Sequence, residues 1–264
     1  MDVIGKIYKD YFIDNYIEDG SSHHLRNYEL GGIFNIIKKE FLINPTINLK
    51  NFKFQIVLNE NLESKIKSIE TSIPFSSIFT NDIVPSSIIF ENEGKRSSYV
   101  FDDNLININQ KKINSKSACI FYADKIYSRS FEKYEQIYLD TAGNSSEDLY
   151  KLSKNKSFKK NTIISISQEY LTKNLLDNFL SEEKYIIISH CPDNTVVYFN
   201  NKEVSIPNQF YIKTKEIAKN KRFTGLGDIF FLIISALNYY QKIPIEEAIK
   251  EAQKIIANYL GSNL

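Results

Sequence analysis

The residues with the clearest chemical potential form a glycine loop, residues 222–228, directly before an apolar run that ends at Leu237. Its two glycines permit backbone angles closed to other residues, and an Asp at the start of a helix can cap it with its carboxylate. We therefore predict a helix N-terminus at this loop. The amides of Gly225, Leu226 and Gly227, together with the helix dipole, would form an anion hole suited to a phosphoryl group.

Asp228 lies beside this anion hole and is the candidate general base. The positive end of the helix favours its ionised form, which can accept the proton of an attacking hydroxyl. An anion hole and a base are the minimum equipment for phosphoryl transfer. Taken alone, a Gly-x-Gly-Asp before an apolar helix is more often a tight turn with an Asp cap. The interpretation therefore depends on what the rest of the chain supplies.

The composition narrows the class of protein. The 264 residues are 42% hydrophobic and 25% charged, and 33 basic against 32 acidic side chains leave a net charge of +1. This balance gives no basic footprint for nucleic acid. We expect a cytoplasmic protein without a membrane partner, because no basic and apolar leader opens the sequence and no apolar run approaches the roughly 20 residues of a membrane span.

Metal binding by dedicated ligands is not indicated. Cys119 and Cys191 are the two cysteines, and they form neither a disulfide framework nor a zinc motif. His23 and His24 stand in a polar stretch without a partner at ligand spacing, so we assign them to solvent. We predict two reduced thiols and no metal ligand.

Short apolar, β-branched runs recur in the second half of the chain and predict strands of a parallel sheet buried on both faces. These runs are residues 118–122, 136–140, 162–166 and 185–189. Helical patterns such as residues 169–179 supply the crossovers, and Pro244 marks the start of a last helix. Residues 3–8 predict a first strand with Asp10 at its carboxyl end, where ligands of open α/β sheets bind. The predicted class is α/β.

A small accessory sheet is predicted from two other segments. Residues 86–91 and 97–101 flank a turn sequence and form the strongest hairpin signal in the chain, and residues 11–19 predict a short exposed strand. Between them, Gly31 and Gly32 permit close backbone approach, and the Asn35 amide suits hydrogen bonding to a polyhydroxyl ligand. The alternative is a glycine turn with an exposed Asn.

The order of these features resembles the ribokinase-like sugar kinases of the phosphofructokinase-B type. The corresponding segments are residues 5–10, 30–35, 93–96, 189–191 and 224–228. The resemblance implies one domain over residues 1–264, with a mostly parallel central sheet flanked by helices. It also implies a small β-sheet lid, formed by segments near residues 8–19 and 86–101, over the sugar site.

The resemblance also implies roles for individual residues. Asp10 and Asn35 would bind sugar hydroxyls, with Gly31 and Gly32 close to the sugar. Asp228 would be the catalytic base beside the anion hole. The nucleotide side would comprise three residues, Ser189, Thr224 and Gln253. The family uses ATP with Mg²⁺, and many members respond to a monovalent cation, potassium.

The chain departs from the family pattern on the nucleotide side. Arg222 stands where the family usually has an Asp, which argues against a potassium response, and Cys191 replaces a Gly. Residues 167–170 read Ser-Gln-Glu-Tyr where the family has an Asn-x-x-Glu linked to magnesium. Two hypotheses follow: an ATP-dependent carbohydrate kinase, or a catalytically degenerate relative that acts as a sugar-binding, regulatory or scaffold protein. The choice of sugar or nucleoside and a homodimer through the lid stay open.

Overall fold

A computed structural model describes most of the chain. The described residues are 1–14, 28–38, 51–59, 62, 65–66, 75–80, 83–92, 95–108, 115–141, 146–154, 161–181, 185–191, 193–200, 202–210 and 225–260. The strands are β1 (Asp2–Asp14), β2 (Glu29–Gly32), β3 (Lys53–Asn59), β4 (Phe75–Thr80), β5 (Ser86–Asn92), β6 (Lys95–Phe101), β7 (Ile106–Asn107), β8 (Ser117–Ile120), β9 (Ile126–Tyr127), β10 (Gln136–Asp140), β11 (Thr162–Ser167), β12 (Tyr185–His190), β13 (Asn194–Phe199) and β14 (Lys202–Pro207). The helices are α1 (Phe34–Lys38), α2 (Ser146–Ser153), α3 (Lys173–Leu180), α4 (Leu226–Gln241) and α5 (Ile245–Tyr259).

The central sheet is mostly parallel, which confirms the predicted α/β class. Its strands follow the order β14-β13-β12-β11-β10-β8-β1-β3-β4, and along this order only the β12–β13 and β13–β14 pairs are antiparallel. The four apolar runs of the second half became β8, β10, β11 and β12, which are adjacent in space. A separate two-stranded pair is formed by β7 and β9.

Helices cover both faces of this sheet. Alternate residues of each strand point to opposite faces, so Tyr138 packs in one apolar cluster with Phe231 of α4, while Ile137 packs in another with Phe179 of α3. Burial on both faces explains why these strands read as continuous apolar runs. The helices α4 and α5 lie on the first face, and α2 and α3 on the second.

The first strand is longer than predicted, and this positions the site. Asp2 to Lys6 pair with β3 in the central sheet, whereas Lys9 to Asp14 pair with β5 of the accessory sheet, which also contains β2 and β6. The prediction that a separate strand begins at residue 11 was therefore wrong, because β1 continues by changing partners. Asp10 lies inside β1, where one sheet passes into the other. The hairpin of β5 and β6 is confirmed.

The start of α4 also differs from the prediction. Gly225 is the N-cap, with φ of 81° in the left-handed region, and no side chain caps the helix. Asp228 lies in the first turn and is not the predicted cap, because glycine takes that position without steric cost. The last helix begins after Pro244 as predicted.

Several smaller predictions are resolved differently. The helix predicted over residues 169–179 begins at Lys173, after Thr172 accepts a hydrogen bond from the Leu175 amide. The predicted strand residues 15–19 and the histidines at 23 and 24 lie outside the described residues. Both cysteines are free thiols. Among the described helices, none combines the length and apolar character needed to cross a membrane.

Candidate active site

The passage of β1 between the two sheets places Asp10 in a tight polar pocket. Asp10 is 5% exposed, and its Oδ1 accepts a hydrogen bond of 2.5 Å from the Ser87 hydroxyl. A Cβ added to Gly31 would stand 1.7 Å from Asp10 Oδ2. At Gly32, where φ is 63°, an added Cβ would stand 2.5 Å from the Lys6 carbonyl oxygen. The glycine pair is therefore required by its contacts with β1.

We expect Gly31→Ala to reduce kcat/KM for the acceptor roughly 10- to 100-fold, because the added methyl must displace the Asp10 carboxylate from its position. Steady-state kinetics of the Asp10→Ala and Gly31→Ala variants and their double variant measure this. If the added methyl acts only through Asp10, the double variant loses no more than Asp10→Ala alone. Fully additive losses would show a separate role for Gly31.

The start of α4 brings two predicted residues from distant parts of the chain together. A Cβ at Gly225 would lie 3.0 Å from Asn35 Cβ and 3.4 Å from Asp228 Oδ2. Asn35 is buried in the first turn of α1, and Asp228 is half-buried. The amide and the carboxylate therefore flank the same glycine, as expected if both face one bound ligand.

Tyr122 belongs to this cluster and was missed from the sequence. Its hydroxyl donates a hydrogen bond of 3.2 Å to Asp228 Oδ2, and its ring centre lies 4.9 Å from that of Tyr8. Its φ of 58° is unusual for a bulky residue. Burial raises the pKa of Tyr122 well above its usual value, and the charges of Asp228, Asp140 and Asp10 raise it further. Tyr122 thus stays a donor to Asp228.

We expect Tyr122→Phe to lower kcat about tenfold, because the charged acceptor Asp228 Oδ2 loses a hydrogen bond that orients it. The acceptor KM should change little, since the ring and its contact with Tyr8 are retained. Tyr150→Phe on α2 is the matched control, because the exposed Tyr150 lies away from this cluster. Wild-type kcat in Tyr122→Phe would remove Tyr122 from the positioning of Asp228.

The predicted nucleotide residues are not gathered at this cluster. Ser189 is 1% exposed and alternates with His190, whose ring lies 6.3 Å from that of Phe230 on α4, so the Ser189 side chain faces the opposite side of the sheet. Gln253 is buried on α5. Within the described ranges, Ser189 Oγ and Gln253 Nε2 have no hydrogen-bond partner, which is uncommon for buried polar atoms. Thr224 lies outside the described residues.

A second polar group was also missed. Asp140 and His190 end strands β10 and β12, and Ser165 lies near the end of β11, all on the face covered by α4. Asp140 pairs with Ser165 in register and hydrogen-bonds its side chain, and Ser165 Oγ lies 3.3 Å from His190 Nδ1. His190 Nε2 lies 3.7 Å from the position of a Cβ on Gly227. Asp140 ends an apolar run, the same signal that identified Asp10.

Burial lowers the pKa of His190 from 6.5 to about 4. Between pH 6.5 and about 4, His190 therefore binds a proton in the unfolded chain that it does not bind in the folded chain. The neutral ring contributes stability that is complete above pH 6.5 and is lost as the pH falls towards 4. Between pH 7 and 4, we expect the free energy of unfolding, measured with urea, to fall by about 3 kcal/mol more in the wild type than in His190→Gln. Parallel curves for the two proteins would contradict the lowered pKa.

Two surface pockets lie elsewhere. One is lined by residues of α2 and α3, and another by residues near the amino ends of β10 and β11 together with the end of α4. Neither contains a predicted site residue.

Comparison with known proteins identifies the fold. No family model matches the sequence, and no curated protein matches it. Among solved structures, ribokinase from Cryptococcus neoformans in complex with ADP has a TM-score of 0.58 at 9% identity, covering 100% of this chain and 98% of that chain. A possible 1-phosphofructokinase from Thermotoga maritima has a TM-score of 0.60 at 9% identity, covering 96% and 90%.

A pyrophosphate-dependent kinase of the ribokinase family has a TM-score of 0.57 at 14% identity, covering 96% of this chain and 92% of that chain. These similarities extend over nearly the whole of each chain. The protein therefore has the ribokinase fold, as the sequence motifs implied.

Proposed function

We propose that the protein is a sugar kinase that transfers the γ-phosphoryl group of ATP to a hydroxyl of a carbohydrate or related polyhydroxyl compound. The observation that carries this proposal is the meeting of Asn35 and Asp228 at Gly225, the N-cap of α4. Tyr122 supports it by contacting Asp228 while lying close enough to Asp10 for the two to interact electrostatically. A base, a helix N-terminus and polar groups for hydroxyls thus occupy neighbouring positions.

Each residue of the candidate site has a role in the proposed reaction. Asp10 and Asn35 bind acceptor hydroxyls, and the Asp228 carboxylate takes the proton of the attacking hydroxyl. The acceptor oxygen forms a bond to the γ-phosphorus as the bond to the bridging oxygen breaks, and ADP leaves with the bonding electron pair. The amides of Gly225, Leu226 and Gly227 stabilise the charge on the transferred group.

Magnesium is proposed to arrive with the donor. Among the residues that the structure describes, no group of three or more His, Cys, Asp or Glu side chains could hold a metal ion. The described side chains therefore do not form a magnesium site by themselves. Mg²⁺ usually retains waters and binds substrate phosphates with few carboxylates. We therefore assign no step of the reaction to the ion.

The nucleotide contacts of Ser189, Thr224 and Gln253 are also proposals. The buried polar atoms of Ser189 and Gln253 that lack partners within the described ranges favour a polar role for both side chains. Ser189 faces away from α4, so it would act on the nucleotide from the other side of β12. Arg222 lies outside the described residues, and we propose no potassium site.

A screen of sugars, polyols and nucleosides tests the proposed function. The full chain is incubated with each acceptor and either Mg-ATP or pyrophosphate, and phosphorylated product is measured. We expect at least one acceptor to be phosphorylated with Mg-ATP, and the activity to be lost in Asp228→Asn. Transfer from pyrophosphate alone would correct the donor. No product, together with no calorimetric heat at millimolar Mg-ATP with or without sugar, would favour the degenerate alternative.

The accessory sheet is proposed to be the lid of a single kinase domain. Its strand β6 exposes two aromatic side chains, Tyr99 at 64% and Phe101 at 49%. Exposed apolar residues on edge strands often pair with another subunit. A homodimer through this sheet stays a prediction, which sedimentation of the wild type and a Tyr99→Lys variant would test.

A further inference from the structure

The second polar group, formed by Asp140, Ser165 and His190 and here called the row, ends beside the predicted anion hole. Its last atom, His190 Nε2, has no hydrogen-bond partner among the described residues, whereas Nδ1 is engaged by Ser165. The residue is partly exposed, which leaves room for a ligand at the ring. Since Nε2 lies 3.7 Å from the Cβ position of Gly227, it faces the first turn of α4.

The contact between Ser165 and His190 decides which ring nitrogen carries the proton. Asp140 is 6% exposed, and burial together with the charge of Asp228 raises its pKa well above the usual value. In the arrangement that fits a phosphate at Nε2, Ser165 Oγ donates its proton to His190 Nδ1, 3.3 Å away. A neutral imidazole whose Nδ1 accepts carries its proton on Nε2. The row therefore presents an N–H at the start of α4.

We propose that His190 is a phosphate-binding residue whose Nε2–H donates a hydrogen bond to a non-bridging oxygen of the phosphoryl group held by the amides of Gly225 to Gly227. Ser165 and Asp140 are positioning residues that fix the ring's tautomer and orientation. No proton is transferred along the row. This inference rests on the proposed kinase function, because it assigns the ligand at the start of α4 to the polyphosphate chain of the donor.

A neutral donor suits this position. The ring carries no charge near neutral pH. It therefore supplements the hydrogen bonds of the amides with one more, without adding a positive charge that would slow the release of ADP. Preorganised donors of this kind act on charge that develops during the reaction. The contribution should be constant above about pH 6.

Kinetics of two substitutions test the hydrogen bond. The Gln side chain can place an amide N–H near the position of Nε2, whereas Leu keeps the volume without a donor. We expect His190→Leu to lower kcat/KM for the phosphoryl donor about 10- to 100-fold and His190→Gln to lose less than about fivefold, with the acceptor KM unchanged in both. Equal losses in the two variants, or a loss confined to the acceptor KM, would overturn the proposal.

Imidazole ¹⁵N NMR gives a test that needs no activity. The chain contains three histidines, so comparison with His190→Gln assigns the resonances of His190. We expect the Nε2–H tautomer at pH 7.5, and a change in the Nε2 shift on addition of inorganic tripolyphosphate. Ser165→Ala should disturb the tautomer, while Asp140→Asn should retain it because the amide donates to Ser165.

The outcomes separate this inference from the proposed function. A charged ring, the Nδ1–H tautomer or an unchanged Nε2 shift at millimolar tripolyphosphate would overturn the role of His190 even in an active kinase. Failure of every acceptor in the screen, together with no calorimetric heat from Mg-ATP, would overturn the proposed kinase, while the response of His190 to tripolyphosphate would still decide whether the site binds phosphate.

Discussion

Replacing Asp228 by Asn is expected to lower kcat roughly 10² to 10⁴-fold while the protein stays folded. The substitution keeps the size of the side chain and its hydrogen bond with Tyr122, but removes the group that accepts the acceptor's proton. Since Gly225 is the N-cap, the helix loses no side-chain cap. The loss should therefore appear in kcat, with little change in the acceptor KM.

Initial rates with the acceptor found in the screen measure this loss, and circular dichroism with thermal melting checks the fold. Asp177→Asn on α3 is the matched control, because Asp177 is exposed on a helix that covers the other face of the sheet. A drop in kcat of less than about threefold in Asp228→Asn would exclude Asp228 as the general base.

The second large effect concerns a buried ion pair beneath the site. Lys6 on β1 is 1% exposed and contacts Asp103 Oδ1, which also accepts a hydrogen bond of 3.0 Å from Tyr8. Burial lowers the pKa of Lys6, and the charge of Asp103 opposes this shift. Asp103 lies two residues beyond the end of β6, so the pair joins the accessory sheet to the central strand.

We expect Lys6→Met to lower the free energy of unfolding by about 3 to 5 kcal/mol, because it removes the cation from a carboxylate that is largely buried. Urea denaturation measures the loss. Lys151→Met on α2 is the matched control, since Lys151 forms exposed ion pairs and should change stability by less than about 1 kcal/mol.

The double variant Lys6→Met with Asp103→Asn tests the cause. Removing both charges should recover a substantial part of the lost stability, because neither charge then stays buried alone. If the double variant is as unstable as the sum of the single variants, the effect arises from packing around Lys6 and not from the ion pair.

The sequence predicted the fold well where burial determines the pattern. Strands β8, β10, β11 and β12 are covered on both faces, so their residues are almost all apolar and the runs are visible without tertiary information. The extent of β1 could not be predicted, because its second half is extended like the first and differs only in its partners. Strand pairing over long sequence separations leaves little trace in local composition.

The candidate site was predictable in part for a similar reason. Asn35 and Asp228 lie in the first turns of α1 and α4, and Asp10 follows the apolar residues of the predicted first strand, so local patterns draw attention to all three. The same residue type serves capping and catalysis, which is why Asp228 was wrongly predicted to cap α4. Tyr122 gave no local signal, because its role depends on a left-handed backbone angle and on a contact with a residue 106 positions away.

The most direct test of the account is a crystal structure of the full chain with an acceptor from the screen and a non-hydrolysable ATP analogue. We expect an acceptor hydroxyl within about 3 Å of Asp228 Oδ2, other hydroxyls on Asp10 and Asn35, and the terminal phosphate at the amides of Gly225 to Gly227. An acceptor bound elsewhere, or a phosphate away from the start of α4, would contradict it.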